Sequence, residues 1–120
     1  MSCNILHLVI NIISEPQPPF DLQANNILPT AATITWSTAP PNRVTPWGVV
    51  INYELILTEY AFGLPALTVN TTVESLTFID IEEFNNYSVI IAAENQVGLG
   101  DFSIVLNFST PQAGTEFDHK

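Results

Sequence analysis

The sequence predicts an all-β domain built as a two-layer sandwich. Three observations lead there. Apolar residues recur with a period of two, most clearly in 86–95, where Tyr87, Val89, Ile91 and Ala93 fall on one face and Ser88, Ile90, Ala92 and Glu94 on the other. About seven such stretches follow one another, separated by turn-forming Pro, Gly and Asn residues, and no stretch shows a helical period. Hydrophobic residues make up 47% of the 120 residues and charged residues only 12%, so one domain can bury a real core and most of its polar surface must be Asn, Thr and Ser.

Taken in order, residues 14–19 read as a stiff extended lead-in, because each of Pro16, Pro18 and Pro19 fixes its own φ and drives the residue before it out of the helical region. Residues 20–24 form a first edge strand with Leu22 and Ala24 inward. In 32–36, Ile34 and Trp36 face inward and the threonines outward, which makes Trp36 the centre of the core. Pro40, Pro41 and Asn42 break that strand, and the loop that follows carries Arg43 and Trp47. Residues 50–59 place Tyr53, Leu55 and Leu57 inside and Glu54, Ile56 and Thr58 outside. Short strands are expected at 67–69 and 76–78, then the central strand 86–95, a turn at Gly98 and Gly100, and a last strand at 102–110 ended by Pro111.

Composition excludes several function classes. Twelve acidic residues stand against Arg43 and Lys120, a net charge of −10, so nucleic acids and anionic membrane surfaces are repelled while basic partners or divalent cations remain compatible. No apolar run reaches the roughly 18 residues of a membrane span, so no direct membrane insertion is expected. The single Cys3 cannot form an internal bridge. His7 and His119 lie at opposite ends with no nucleophile or ligand partner at motif spacing, so neither a hydrolytic triad nor a zinc site is expected. Gly98-x-Gly100 lacks a third glycine and leads into a strand, which makes it a hairpin turn and not a phosphate loop. Asp80, Glu82 and Glu83 are the tightest acid cluster, but three acids fall short of the roughly six to eight oxygens that calcium takes. Neither a cofactor nor a metal is expected.

Residues 1–15 form an apolar N-terminal segment. Residues 5–13 have the length of a signal-peptide core but no Lys or Arg before them, and their alternation of Leu6, Leu8, Ile10 and Ile12 suits the last strand of an upstream module equally well.

The order Tyr87-x-Val89-x-Ile91-x-Ala93-x-Asn95-x-x-Gly98-x-Gly100 resembles the sixth strand and following loop of the fibronectin type III module. Pro16-x-Pro18-Pro19-x-x-Leu22, Trp36-x-x-x-Pro40-Pro41 and Ser103-x-x-Leu106-x-Phe108-x-Thr110 match its opening, the end of its second strand and its last strand. The resemblance runs over about 16–111, leaving 112–120 as a tail or linker, and implies a seven-stranded immunoglobulin-like sandwich that holds together without a disulfide. It implies that Tyr87 ties down a corner begun by Ile81; Glu83 stands where the family usually has proline, which predicts a looser corner. It also implies a non-catalytic spacer and protein-binding module, with neighbouring modules in the same chain, in the extracellular part of a larger membrane-anchored receptor or adhesion protein. An accessory module of a secreted enzyme and a module of an intracellular filament-associated array are the alternatives. The Arg-Gly-Asp integrin motif of some adhesive modules is missing: Gly100-Asp101 has no arginine before it.

Within that frame, the expected interaction face consists of Ile56, Ile90, Ala92 and Val105, apolar residues on the outward side of the third, sixth and seventh strands. Asn70, Asn86 and Asn107 begin Asn-x-Ser/Thr sequons, and Asn86 and Asn107 fall on outward faces.

Overall fold

The structure, a computed structural model, describes residues 14–38, 47–60 and 64–113, with the backbone alone at 64–66. Cys3, His7, Pro40, Pro41, Arg43, His119 and Lys120, with most of the N-terminal segment and the tail, lie outside these residues.

Among the described residues, seven strands are divided between two antiparallel sheets: β1 (Phe20–Leu28), β2 (Ala31–Ser37), β3 (Asn52–Glu59), β4 (Leu64–Thr71), β5 (Ser75–Ile79), β6 (Asn86–Glu94) and β7 (Leu106–Ser109). One sheet has the order β1-β2-β5 and the other β4-β3-β6-β7. Their facing sides bury Ile34, Trp36, Tyr53, Leu55, Leu57, Phe78, Tyr87, Val89, Ile91 and Phe108, with Leu22 and Ala24 packed against this core. The rings of Trp36 and Tyr53 meet edge to face at 5.3 Å, and those of Tyr87 and Phe108 stack at 5.6 Å.

Three strands differ in length from expectation by more than two residues, each for a local reason. β1 continues past Ala24 to Leu28 through a register irregularity between Asn25 and Leu28, with a second between Phe20 and Gln23; Asp21 and Asn26 sit there in the left-handed region that Asp and Asn tolerate better than other side chains. β4 spans eight residues where three are expected, because β3 offers a ladder along its whole length and Pro65 falls on the outer edge, where a missing N–H is harmless. β7 is shorter than 102–110. Ser103 N–H donates to Ile91 O at 2.8 Å while Leu106 pairs with Val89, so three residue steps oppose two and the chain bulges at Ile104 and Val105. Ser103 Oγ accepts the Ile91 N–H at 3.0 Å, so a side chain stands in for the ladder there.

The corner before β6 is tied from two sides. Tyr87 Oη accepts the Glu82 N–H at 2.7 Å, as expected of it. Buried Thr110 accepts the Asn85 N–H and donates to Glu82 O. The looseness expected from Glu83 is countered by its own carboxylate, which accepts the Ala113 N–H at 2.6 Å. Phe84 alone shows a cost: it sits at φ 55°, a region in which a bulky side chain is strained.

Burial raises the pKa of Tyr87, with Glu59 adding to the shift and the Glu82 backbone bond opposing it; burial likewise raises that of Tyr53, whose hydroxyl meets Thr38 and Glu74. Unfolded tyrosine releases its proton near pH 10 while the folded groups still hold theirs, so the unfolded chain binds fewer protons and stability falls as pH rises. The stability these two phenols contribute is complete below about pH 10 and is lost between that pH and their folded pKa values. Unfolding midpoints measured upward from pH 9 should decline more gently in Tyr53→Phe and Tyr87→Phe than in the parent; equal slopes would contradict this.

Candidate functional site

The register of β4-β3-β6-β7 arranges the outward side chains of the larger sheet in rows. Ile56 of β3 pairs with Ile90 of β6 and with Thr68 of β4. To one side of this pair lie Thr58, Ser88 and Asn107, and beyond them Asn86 with Ser109. To the other side lie Asn70, Glu54 and Ala92, then Asn52 with Glu94. Asn52 Nδ2 bonds both Asn70 Oδ1 and Glu94 Oε1 at 3.1 Å, which ties that polar end together.

Of the four residues expected to form an apolar face, Ile56 and Ile90 stand together as a cross-strand pair, both partly buried. Ala92 does not belong to an exposed face: it is completely buried. Its methyl stands lower than Glu54 opposite and than Ile90 and Glu94 two residues away, and the Ser103–Ile91 bonds hold the chain close on its other flank. Alternation alone places a side chain on a face but says nothing of its height there. Val105 is 55% exposed, but it lies in the bulge before β7 and not in the strand, beside Ile104 at 84%. A bulge hides in sequence, because it breaks the period from which a strand is read.

All three sequon asparagines are exposed on this same side. Sequence reading missed Asn70 here, because the short strand expected at 67–69 ended before it.

The two poles hold what sequence alone did not bring together. Trp47, expected in a loop, is buried, and with Val49, Ile51 and Gln96 it lines a surface cavity of about 250 Å³. Asn95 is buried beside it. Its Nδ2 donates to Ser14 O and Trp47 O, both at 2.7 Å, while its Oδ1 accepts the Val97 and Gly98 N–H groups. Gly100 lies so close to the incoming chain that a Cβ would stand 2.0 Å from Pro16 O. Gly98 and Gly100 thus shape a turn closed by the Asn95 N–H to Gly98 O bond.

Among the described residues, no three His, Cys, Asp or Glu side chains lie close enough to hold a metal ion, and no helix is long and apolar enough to cross a membrane. Asp80, Glu82 and Glu83 are all exposed.

Comparison with known proteins agrees with this architecture. The chain is 30% identical to mouse tenascin-R over 108 residues, covering 90% of this chain and 7% of that protein. It is 36% identical to the mouse cell adhesion molecule DSCAML1 over 99 residues, covering 80% and 5%. The chain therefore spans only a small part of these relatives. Among solved structures, the twitchin kinase region of C. elegans superposes with a TM-score of 0.71 at 24% identity, over 83% of this chain and 17% of that one. Titin domains A168–A170 superpose at 0.70 and 20% identity, over 81% and 32%. The model of the fibronectin type III domain matches residues 16–109. With the two sheets, the tyrosine-tied corner and the order of strands already in place, the chain belongs to the fibronectin type III family.

Proposed function

We propose that this domain is a non-catalytic module of a multi-domain cell-surface or extracellular adhesion protein, where it spaces its neighbours and binds a protein through the outward side of β4-β3-β6-β7. The observation that carries the adhesive reading is the pair of relatives, tenascin-R and DSCAML1, in which a stretch like this one fills 7% and 5% of the length. The surface itself supports binding: the outward side offers an apolar pair with a polar border.

Ile56 and Ile90 form the contact centre, and Glu54 and Glu94 border it. Ala92 supplies only a floor. With a net charge of −10, the partner that fits is a protein with an apolar strip rimmed by Lys or Arg. Such a rim acts mainly on the association rate and makes binding salt-sensitive.

The test is cell attachment to a surface coated with the protein, compared with the double variant Ile56→Asp, Ile90→Asp. Attachment should fall about tenfold or more, the loss of a small cluster of apolar contacts, and should weaken in high salt for the parent. A melting curve checks that the variant is folded. Unchanged attachment by a folded variant would retire this face and leave a spacer.

A further inference from the structure

Two of the sequons are interleaved across neighbouring strands. Asn86 pairs with Ser109 and Ser88 with Asn107, so each asparagine of one sequon faces the serine of the other. Their middle residues, Tyr87 and Phe108, turn inward and stack in the core. Beside this unit, Tyr60 continues the line of β3: its N–H bonds Asn86 O at 2.9 Å, and its ring is 64% exposed. Tyr60, Asn86, Asn107 and Ser109 line a shallow cavity of about 240 Å³, floored by Tyr87 and Phe108. That is smaller than the roughly 300–1,000 Å³ of sites for drug-sized ligands and suits a single sugar ring.

We propose that Asn86 carries an N-linked glycan whose first N-acetylglucosamine lies in this cavity against Tyr60. The proposal rests on the extracellular reading above, since the modification belongs to the secretory route. Asn86 Oδ1 accepts the Ser109 hydroxyl, which leaves Nδ2 as the atom to be modified. In the transfer, Nδ2 forms a bond to the anomeric carbon of an oligosaccharide carried on a lipid diphosphate. The anomeric C–O bond breaks, the diphosphate leaves with the electron pair, and the amide gives up one proton to a base of the transferase. An aromatic ring with one apolar face and a polar tip suits a sugar, whose C–H face packs on the ring while its hydroxyls reach the Asn and Ser groups of the rim.

Position along β6 separates Asn86 from Asn107 in consequence. Asn86 lies four residues from Ile90, about 13 Å at strand rise, and Tyr60 draws its sugar across the sheet, so the Ile56–Ile90 pair stays open. Asn107 faces Ser88, one row from Ile90, and a glycan there would cover the pair.

The test directs the full chain through the secretory pathway of cultured mammalian cells behind a fused leader. Enzymatic release of glycans in heavy-oxygen water then marks each occupied asparagine, read by peptide mass. Asn86 should be occupied in most molecules, and both Asn86→Gln and Ser88→Ala should abolish that mark. Removing the glycan from folded protein should lower the melting midpoint by several degrees, and Tyr60→Ala should erase that difference while occupancy persists. An unoccupied Asn86, occupancy at Asn107 alone, or a sugar-dependent midpoint that ignores Tyr60→Ala would each overturn the proposal. Because the leader enforces secretion, failure here counts against the site alone. Surface labelling of intact cells that make the parent protein tests the extracellular reading separately.

Discussion

Trp36→Ala is expected to lower stability by about 3–5 kcal/mol, the range for removing a large aromatic side chain from a packed core. Trp36 is 4% exposed, stands near the end of β2 and meets Tyr53 edge to face, so its loss opens a void between the two sheets that neither can close without shifting a whole strand. Denaturant midpoints of parent and variant measure this. A loss below about 1 kcal/mol would be that of a surface position and would contradict the placement of Trp36. Trp36→Phe adds a sharper check. Among the described residues the indole N–H has no hydrogen-bond partner although it is buried. Phenylalanine removes that donor together with part of the ring, so the gain from removing an unpaired polar group offsets part of the packing loss. Phe should therefore retain well over half of what Ala loses.

What the sequence revealed about the fold follows from how each feature is encoded. Inward residues such as Ile34, Trp36, Tyr53, Leu55, Val89 and Ile91 are legible because burial on one side of a sheet imposes a period of two, and that period is local. Tyr87 and its corner are legible through the resemblance to the fibronectin type III module. Trp47 was not, because a loop has no period and its burial depends on Asn95, 48 residues away, taking its carbonyl. The start of β7 lies later than the sequence suggests for a related reason. Ser103 bonds Ile91 with both backbone and side chain, and a serine in an apparent strand gives no sign that it will replace the ladder. Ala92 shows the limit at the candidate face: its direction was right and its exposure wrong, since exposure depends on the size of neighbours brought in from β3.

The same contrast applies to the sequons. Each is visible as a motif, but their interleaving is a property of register, which only the pairing of β6 with β7 supplies. Chain position puts 20 residues between Asn86 and Asn107, and the sheet puts them in adjacent rows. Tyr60, which no motif marks, joins them only because β3 lies on the other side of β6.

Asn95→Ala is expected to cost about 3 kcal/mol or more, because it strands several groups at once and each buried unpaired group costs about 1–3 kcal/mol. The side chain is 2% exposed and its four bonds join three pieces of chain: the lead-in at Ser14, the loop at Trp47, and its own turn at Val97 and Gly98. Asn95→Asp tests the same brace differently. It keeps the acceptor for the turn but sets a carboxylate oxygen against two carbonyl oxygens, so it should not rescue the variant even though its shape is nearly unchanged. Gly100→Ala attacks the neighbouring contact, since the added methyl collides with Pro16 O and the lead-in must move away. Overpacking of this kind costs about 1–3 kcal/mol. Both changes release the same segment, so they should not add: once Asn95 has let go of Ser14, moving Pro16 is easier, and the double variant should lose less than the sum. Hydrogen exchange locates the effect, with protection lost at Val97 and Gly98 and kept at Val89 and Ile91 in the centre of β6. A loss below about 1 kcal/mol for Asn95→Ala, or full additivity with Gly100→Ala, would mean that the lead-in is held by something else. Through this brace the chain enters the domain at Ser14 and Pro16 in a fixed direction.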